Sequence, residues 1–477
     1  MGVLWIKIAK RLDKLTDKLV DGYAAFRELI SPGWKDRNRS RISELKLMLR
    51  AFNRSPLAWV GLILVLIFVL IGIFGPLVAP EPYWDVYRYP KNMPPGWVDS
   101  NGVYHIFGTD YYGRDLFSMI LWGARISLII GILVIVLGVP LGIILGLVSA
   151  YYGGKVDEVI MRIVDIFYSF PALVLAIALS ATLPSRIDIL LTQVPILKSF
   201  LIGLFGIRPE HGGYLATTVA IIVAMAIVWW PGYTRMIRAV ALSEREKVYV
   251  EAARALGLSD TTIMFKHILP NVISILLVMI TIDLGSIIIL EAALSFLGLG
   301  PQPPLPEIGR LISDGRAYWP TAWWLIIIPG AFLFIVGLGW NLLGDGLRDI
   351  FDPKTRRSIE FGIKERPIMI HDVIGLLGNI TIIAGFVTVA VVFGDAPGMV
   401  ILSAPLLLLF VVWKGLNAIR TLGKFYVGHI AGIASYLWSI KTLSIFLPSL
   451  FPGGLIVLAG VILSMISEEI GKRRGVI

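Results

Sequence analysis

Residues 57–79 read LAWVGLILVLIFVLIGIFGPLVA, an apolar run without a single charged side chain. About 20 such residues are enough for a helix to cross the hydrocarbon core of a bilayer, so this stretch predicts a membrane span. Nine further candidate runs follow along the chain. The predicted spans cover residues 57–79, 127–150, 163–183, 214–231, 271–297, 322–346, 367–393, 399–413, 425–446 and 453–467. They predict an all-α, polytopic transmembrane helical bundle, with a six-span core and about four extra C-terminal spans.

The composition of the chain agrees with a membrane protein. Of its 477 residues, 56% are hydrophobic and 16% are charged, whereas a soluble domain has about 25% charged residues. So few charges could not cover the surface of a soluble protein of this size. The chain has no cysteine, which excludes disulfides, thiolate metal sites and cysteine nucleophiles.

Motifs for enzyme chemistry are absent from the sequence. It contains no G-x-x-x-x-G-K-[ST] phosphate loop, no H-E-x-x-H and no G-x-S-x-G. The histidines do not pair at the spacing of metal ligands; they are His105, His211, His267, His371 and His429. We therefore expect no catalytic residue, no metal site, no cofactor and no ATP hydrolysis by the chain itself.

The basic residues predict the topology in the cell membrane. If the N-terminus lies inside, the segments predicted to be inner carry 33 of the 43 lysines and arginines. This bias follows the positive-inside rule and places both termini in the cytoplasm. The net charge of +10 then indicates anionic lipid headgroups as the partner of the charge, rather than nucleic acid.

Residues 1–54, which precede the first span, form a cytoplasmic region of amphipathic character. Apolar side chains fall on one helical face, namely Leu4, Ile8, Leu12, Leu15 and Leu19. Basic side chains lie largely around the other, namely Lys7, Lys10, Arg11, Lys14 and Lys18. This pattern predicts a helix in the inner membrane interface. A soluble helix packed on a partner is the alternative.

The loop between the fourth and fifth spans is the most informative part of the chain. Residues 251–271 read EAARALGLSDTTIMFKHILPN. Gly257 stops a first short helix, because glycine tolerates the left-handed conformation at a helix end. Ser259 and Asp260 suit the N-terminal cap of a second short helix, which Pro270 ends at the membrane. Such a loop suits a socket on another protein, or it packs on its own bundle.

Eight residues of this loop resemble the E-A-A-x-x-x-G motif of ABC-importer permeases, extended by I-x-x-x-H-x-L-P. They are Glu251, Ala252, Ala253, Gly257, Ile263, His267, Leu269 and Pro270. In that family the loop forms a coupling helix, which sits in a groove of the ATP-binding subunit. The resemblance therefore implies that these residues couple the chain to an ATPase.

Further motifs narrow the resemblance. An outer loop before the second span carries Gly108, Thr109, Asp110, Gly113, Arg114 and Asp115. Residues 291–300 read EAALSFLGLG and residues 341–349 read NLLGDGLRD. Together these stretches are similar to the second permease subunit of the dipeptide/oligopeptide/nickel ABC-importer family, over about residues 40–357.

The resemblance implies an architecture and partners. Residues 55–357 would form the six-span permease core, and residues 358–477 an unusual C-terminal membrane extension. The chain would form a pathway with a second homologous permease, while two ATP-binding subunits drive uptake and an extracellular solute-binding protein delivers the substrate. Peptides, oligosaccharides and nickel stay open as substrates. The alternative class is a self-sufficient secondary transporter or channel, which paired intramembrane charges and inverted repeats would indicate.

Two acidic residues of the fifth span are candidates for the pathway. Asp283 lies within the span and Glu291 near its outer end, where an ionisable group should face protein or water. For Asp283, a simple polar contact between helices is the alternative. The outer loop over residues 108–115 either closes over the pathway or receives a binding protein, or it is a folded cap. Gly142 and Gly146, four residues apart, predict close approach of another helix.

Overall fold

The computed structural model describes residues 2–351 of the chain, whose regular elements are helices and one short hairpin. The four spans predicted within residues 358–477 lie outside the described residues. The first elements are α1 (Gly2–Ile30), α2 (Trp34–Arg37), α3 (Arg39–Arg54), α4 (Pro56–Val78), β1 (Trp97–Val98), β2 (Tyr104–His105), α5 (Leu116–Tyr152), α6 (Gly154–Tyr168) and α7 (Ala172–Thr182). The antiparallel hairpin pairs Trp97 with His105 and Val98 with Tyr104.

The second half of the described chain completes the bundle. It comprises α8 (Pro184–Gln193), α9 (Pro195–Phe205), a 3₁₀ turn (Pro209–Tyr214), α10 (Leu215–Arg245), α11 (Val248–Ala255), α12 (Asp260–Thr262), a π-helical segment (Ile263–Ile268), α13 (Leu269–Phe296), α14 (Ile308–Gly315), a 3₁₀ turn (Arg316–Tyr318) and α15 (Trp324–Phe351). Five stretches are long and apolar enough to cross a membrane, and seven if each of two bent helix pairs counts as one span. The predicted helical membrane bundle is confirmed.

The span predicted over residues 163–183 is not one straight helix in the structure. The helices α6 and α7 meet there at an angle of 83°. Pro171 stands at the bend, directly before α7. Proline has no backbone N–H and disfavours the helical conformation in the residue before it, so the first helix cannot continue through this point. Residues 184–213, which the predicted topology leaves as an outer segment without a span, contain the pair α8 and α9, bent by 111° before Pro195.

The loop predicted over residues 232–270 is shorter in the structure. The fourth span continues as α10 as far as Arg245. The second short helix is not a separate element, because the chain runs helically from Asp260 to Phe296 through the π-helical segment. Pro270 therefore lies in the first turn of α13 instead of ending a helix.

The helices α5 and α10 pack closely, as the glycine spacing predicts. A Cβ atom on Gly142 would lie 2.5 Å from the Cβ of Tyr233, and one on Gly146 would lie 2.8 Å from the Cβ of Ile237. Contacts this short leave no room for a side chain. The two glycines thus allow the close contact between the two spans that positions the loop after α10.

Candidate functional site

The short helix α11 presents one face away from the bundle. Val248, just inside its start, is 79% exposed, and Leu256, just after its end, is 80% exposed. Between them, Glu251 and Ala252 are also exposed. The result is a narrow surface with one carboxylate and one small side chain at its centre and apolar side chains at both ends. It is accessible to another protein.

The opposite face of α11 packs on the chain itself. Ala253 and Val250 are buried in a cluster that also contains Ile263, Met264 and Ile268. Of the motif residues predicted for coupling, Ala253 and Ile263 therefore attach the helix to the bundle. His267 and Leu269 are half-buried, whereas Pro270 and Gly257 are exposed. The loop therefore packs on its own bundle through one face, and the docking of another protein on the exposed face stays a prediction.

Gly257 ends α11 as predicted. Its φ angle is +75°, a left-handed conformation that favours glycine. Nothing lies within 4 Å of the position that a Cβ atom would occupy, so the requirement is conformational and not steric. Ser259 accepts a hydrogen bond from the backbone N–H of Thr262 at 3.4 Å, which confirms it as a cap. Asp260 instead accepts hydrogen bonds from the hydroxyls of Tyr151 at 2.7 Å and Tyr152 at 3.2 Å.

Tyr249, which sequence reasoning missed, joins α11 to two spans. Its hydroxyl donates to Glu244 of α10 at 2.8 Å and accepts from the side-chain amide of Asn271 in α13 at 3.1 Å. Lys247 pairs with the same carboxylate at 2.6 Å. Burial, together with the hydrogen bond to Glu244, raises the pKa of Tyr249 to about 12. The hydroxyl therefore stays protonated and keeps its role as a donor at neutral pH.

Tyr151 joins the same region to α5. Its hydroxyl donates to Asp260, and the guanidinium of Arg254 in α11 lies 5.1 Å from the centre of its ring. Both the start of the fifth span and α11 are thus held to the end of α5 by one aromatic side chain. Sequence spacing contains no signal for this contact, because Tyr151 and Asp260 are 109 residues apart.

Asp283 is half-buried in α13 and faces α10. Its carboxyl lies close to the side chains of Tyr233 and Trp229. This position satisfies the expectation that an ionisable group in a span faces protein. Its predicted role in the pathway and the alternative, a polar contact between helices, both stay predictions.

Glu291 is fully enclosed near the end of α13. The hydroxyl of Ser127 in α5 donates to its carboxylate at 3.0 Å. Glu307 interacts with it from the segment before α14 and is also fully buried. The backbone N–H groups of Gly309 and Arg310 donate to Glu307 at 2.7 and 2.8 Å, while burial raises the pKa of Glu307 above its ordinary value. Glu291 thus holds α13 to its neighbours in this conformation, and its role in the pathway stays a prediction.

The outer loop motif forms a compact cap before α5. Arg114 is buried, pairs with Asp110 at 2.7 Å and donates to the backbone carbonyl of Pro304 at 2.8 Å. Asp115 caps α5 by accepting from the backbone N–H of Ser118 at 2.7 Å. Its other oxygen lies 2.9 Å from Nδ1 of His105. These buried groups hold the loop in a folded cap, and its role towards the pathway or a binding protein stays a prediction.

The remaining motif positions of this loop shape its backbone. Gly108 and Gly113 have φ angles of +74° and +64°. A Cβ atom on Gly113 would lie 2.2 Å from the carbonyl oxygen of Tyr89. Thr109 is fully buried and donates to the carbonyl of Pro90 at 2.6 Å. The motif is therefore required for the local fold.

Comparison with known families defines the class of the chain. Residues 138–357 match the family described as the binding-protein-dependent transport system inner membrane component. Residues 43–95 match the N-terminal transmembrane domain of oligopeptide transport permease C. The class is therefore that of the membrane-embedded permeases of binding-protein-dependent transport systems.

Individual relatives agree with this class over about two thirds of the chain. The dipeptide transport system permease protein of Alkalihalophilus pseudofirmus is 36% identical, covering 66% of this chain and 91% of the relative. The di/tripeptide transport system permease protein of Pseudomonas aeruginosa is also 36% identical, over 66% and 94%. The glutathione transport system permease protein of Escherichia coli is 36% identical, over 64% and 89%. The chain belongs to the family of ABC-importer permeases that includes these proteins, which confirms the resemblance.

Proposed function

We propose that this permease subunit takes up peptides together with a second homologous permease, and that α11 is its coupling helix. Two ATP-binding subunits drive the transport, and an extracellular solute-binding protein delivers the substrate. The exposed face of α11, attached to the bundle by its opposite face, carries the proposal. Relatives named for dipeptides, di/tripeptides and glutathione support a peptide substrate over an oligosaccharide or nickel. The chain itself hydrolyses no ATP.

The contacts around α11 suggest how movement of the ATPases reaches the spans. Tyr249 connects α11 to α10 and α13, and Tyr151 connects it to α5. When ATP draws the two ATPases together, each pulls on the coupling helix that it holds, and the three spans follow. Alternating access then results from a change in helix packing. In this arrangement α11 and both termini lie in the cytoplasm, as the positive-inside bias predicts.

The test is a bulky charge on the exposed face of α11. Ala252→Arg places a long cation where the ATP-binding subunit is proposed to dock, and Ala25→Arg is the matched control at an exposed alanine of α1. Both side chains point into open space, so we expect both proteins to fold. Ala252→Arg should abolish co-purification with the ATP-binding subunits and ATP-dependent peptide uptake, whereas Ala25→Arg should retain both. Equal behaviour of the two variants contradicts docking at α11, and uptake by the chain alone supports the secondary transporter instead.

A further inference from the structure

The N-terminal helix α1 exposes a continuous apolar stripe. Seven of its large hydrophobic side chains are between 37% and 84% exposed; they are Ile8, Leu15, Leu19, Tyr23, Phe26, Leu29 and Ile30. At 3.6 residues per turn, they fall within an arc of about 120° on one face of the helix. An exposed apolar surface of this length requires a partner to cover it. The matched family segment begins at residue 43, after this helix.

Contacts with the helix α3 determine which face of α1 stays exposed. Lys46 of α3 pairs with Asp21 of α1 at 2.7 Å, and Arg50 pairs with Asp17 at 2.8 Å. The residue numbers rise in one helix as they fall in the other, so the two helices run antiparallel. These ion pairs hold the polar side of α1 against α3. The apolar stripe is consequently turned away from α3.

The helix α3 is in turn attached to two spans. It ends at Arg54, and the first span begins at Pro56. Near this end, Ala51 lies in a buried cluster with Ile350, at the end of α15. The pair of helices α1 and α3 therefore lies where two spans reach the same membrane surface.

The charges of α1 are distributed unevenly around the stripe. Its four acidic residues lie on the side opposite the stripe; they are Asp13, Asp17, Asp21 and Glu28. Three basic residues lie nearer the edges, with Arg11 and Lys18 on one side and Arg27 on the other, whereas Lys10 and Lys14 lie on the side of the carboxylates. Anionic lipid headgroups would meet cations at the edges of the stripe and no carboxylate there. This arrangement is the charge complement of an anionic membrane surface.

We propose that α1 lies in the headgroup region of the inner leaflet, with its apolar stripe in the acyl boundary and its edge cations on anionic lipids. The occupant of the stripe is thus lipid and not a protein. Because α3 ties α1 to α4 and α15, the surface-bound helix holds the cytoplasmic ends of these two spans at a set depth. This role is separate from the docking of α11 and does not depend on it.

The absence of cysteine from the chain makes a site-specific measurement possible. Leu19→Cys carries a spin label on the stripe, and Lys10→Cys carries one on the opposite side, in the full chain within lipid nanodiscs. For each spin label, the rate of collision with oxygen, which concentrates in the bilayer, is compared with the rate of collision with a water-soluble nickel chelate. The label at position 19 should favour oxygen, and the label at position 10 should favour the chelate. Preference for the chelate at both sites overturns the proposal, because the stripe would then face water.

Two further outcomes are decisive. If the label at position 19 is shielded from both reagents when the ATP-binding subunits are bound, a protein covers the stripe and the lipid proposal is wrong. Phosphatidylcholine nanodiscs with added phosphatidylglycerol should place the label deeper than phosphatidylcholine alone, and high salt should reverse this gain. An identical depth in both lipids contradicts the assignment of anionic headgroups. Loss of ATPase docking at α11 would leave all these results unchanged, so the two proposals fail separately.

Discussion

One hydroxyl group connects three helices near the proposed coupling surface. Tyr249 bridges Glu244 and Asn271, and neither contact follows from a sequence motif. By contrast, Ala253 and Ile263 match the family pattern, and both are buried between α11 and the bundle. At this scale the pattern of the chain predicts where the proposed coupling helix lies. It does not identify the polar side chains that tie the helix to the spans.

Removing this hydroxyl should weaken the transmission of movement while leaving ATP hydrolysis in place. Tyr249→Phe removes two hydrogen bonds of about 1 kcal/mol each, and each such loss corresponds to about a fivefold change in an equilibrium. We expect several-fold fewer peptides transported per ATP hydrolysed, measured in proteoliposomes of the assembled importer. Tyr152→Phe is the control, because Tyr151 still holds Asp260 when that hydroxyl is absent. An unchanged ratio in Tyr249→Phe rules out this role.

At the scale of elements, hydropathy predicts where spans occur but not how they bend. The apolar runs at residues 57–79 and 271–297 closely match α4 and the membrane part of α13. The run at 163–183 is mostly apolar in its second half, yet Pro171 divides it into two helices. The pair α8 and α9 was missed, because a hydropathy window averages over the polar residues Arg186, Asp188 and Lys198. Bends arise from single backbone positions, which such an average does not detect.

The packing of α5 on α10 provides a test at the same scale. Gly142→Ala places a methyl group 2.5 Å from the Cβ of Tyr233 and 2.8 Å from the carbonyl oxygen of Trp230. Overpacking of this kind costs about 1–3 kcal/mol, so the midpoint temperature of unfolding in nanodiscs should fall. Gly203→Ala is the matched helical control, since nothing lies within 4 Å of its Cβ position. Equal stability of Gly142→Ala and the unmodified protein would show that the helices can separate without cost.

For the whole molecule, the low charge content and the positive-inside bias predict a polytopic membrane protein, and the helical bundle confirms the fold class. The absence of a phosphate loop requires an external source of energy for ATP-driven transport. The matched family and the exposed face of α11 together support the proposal that ATP-binding subunits act on this helix. Substrate identity lies beyond this chain's own residues, because an importer of this class receives its substrate from a separate binding protein.

The most direct test of the coupling proposal measures whether α11 becomes covered when ATP-binding subunits assemble. Leu256→Cys introduces the one thiol of the chain at a site that is 80% exposed, and Tyr104→Cys introduces it at a 62% exposed site of the cap. The rate of modification by a water-soluble maleimide is measured for this chain only, because gel electrophoresis separates it from the other subunits after the reaction. Assembly should slow the reaction at position 256 at least several-fold and leave position 104 unchanged. An unchanged rate at position 256 in an active, assembled importer would contradict the account.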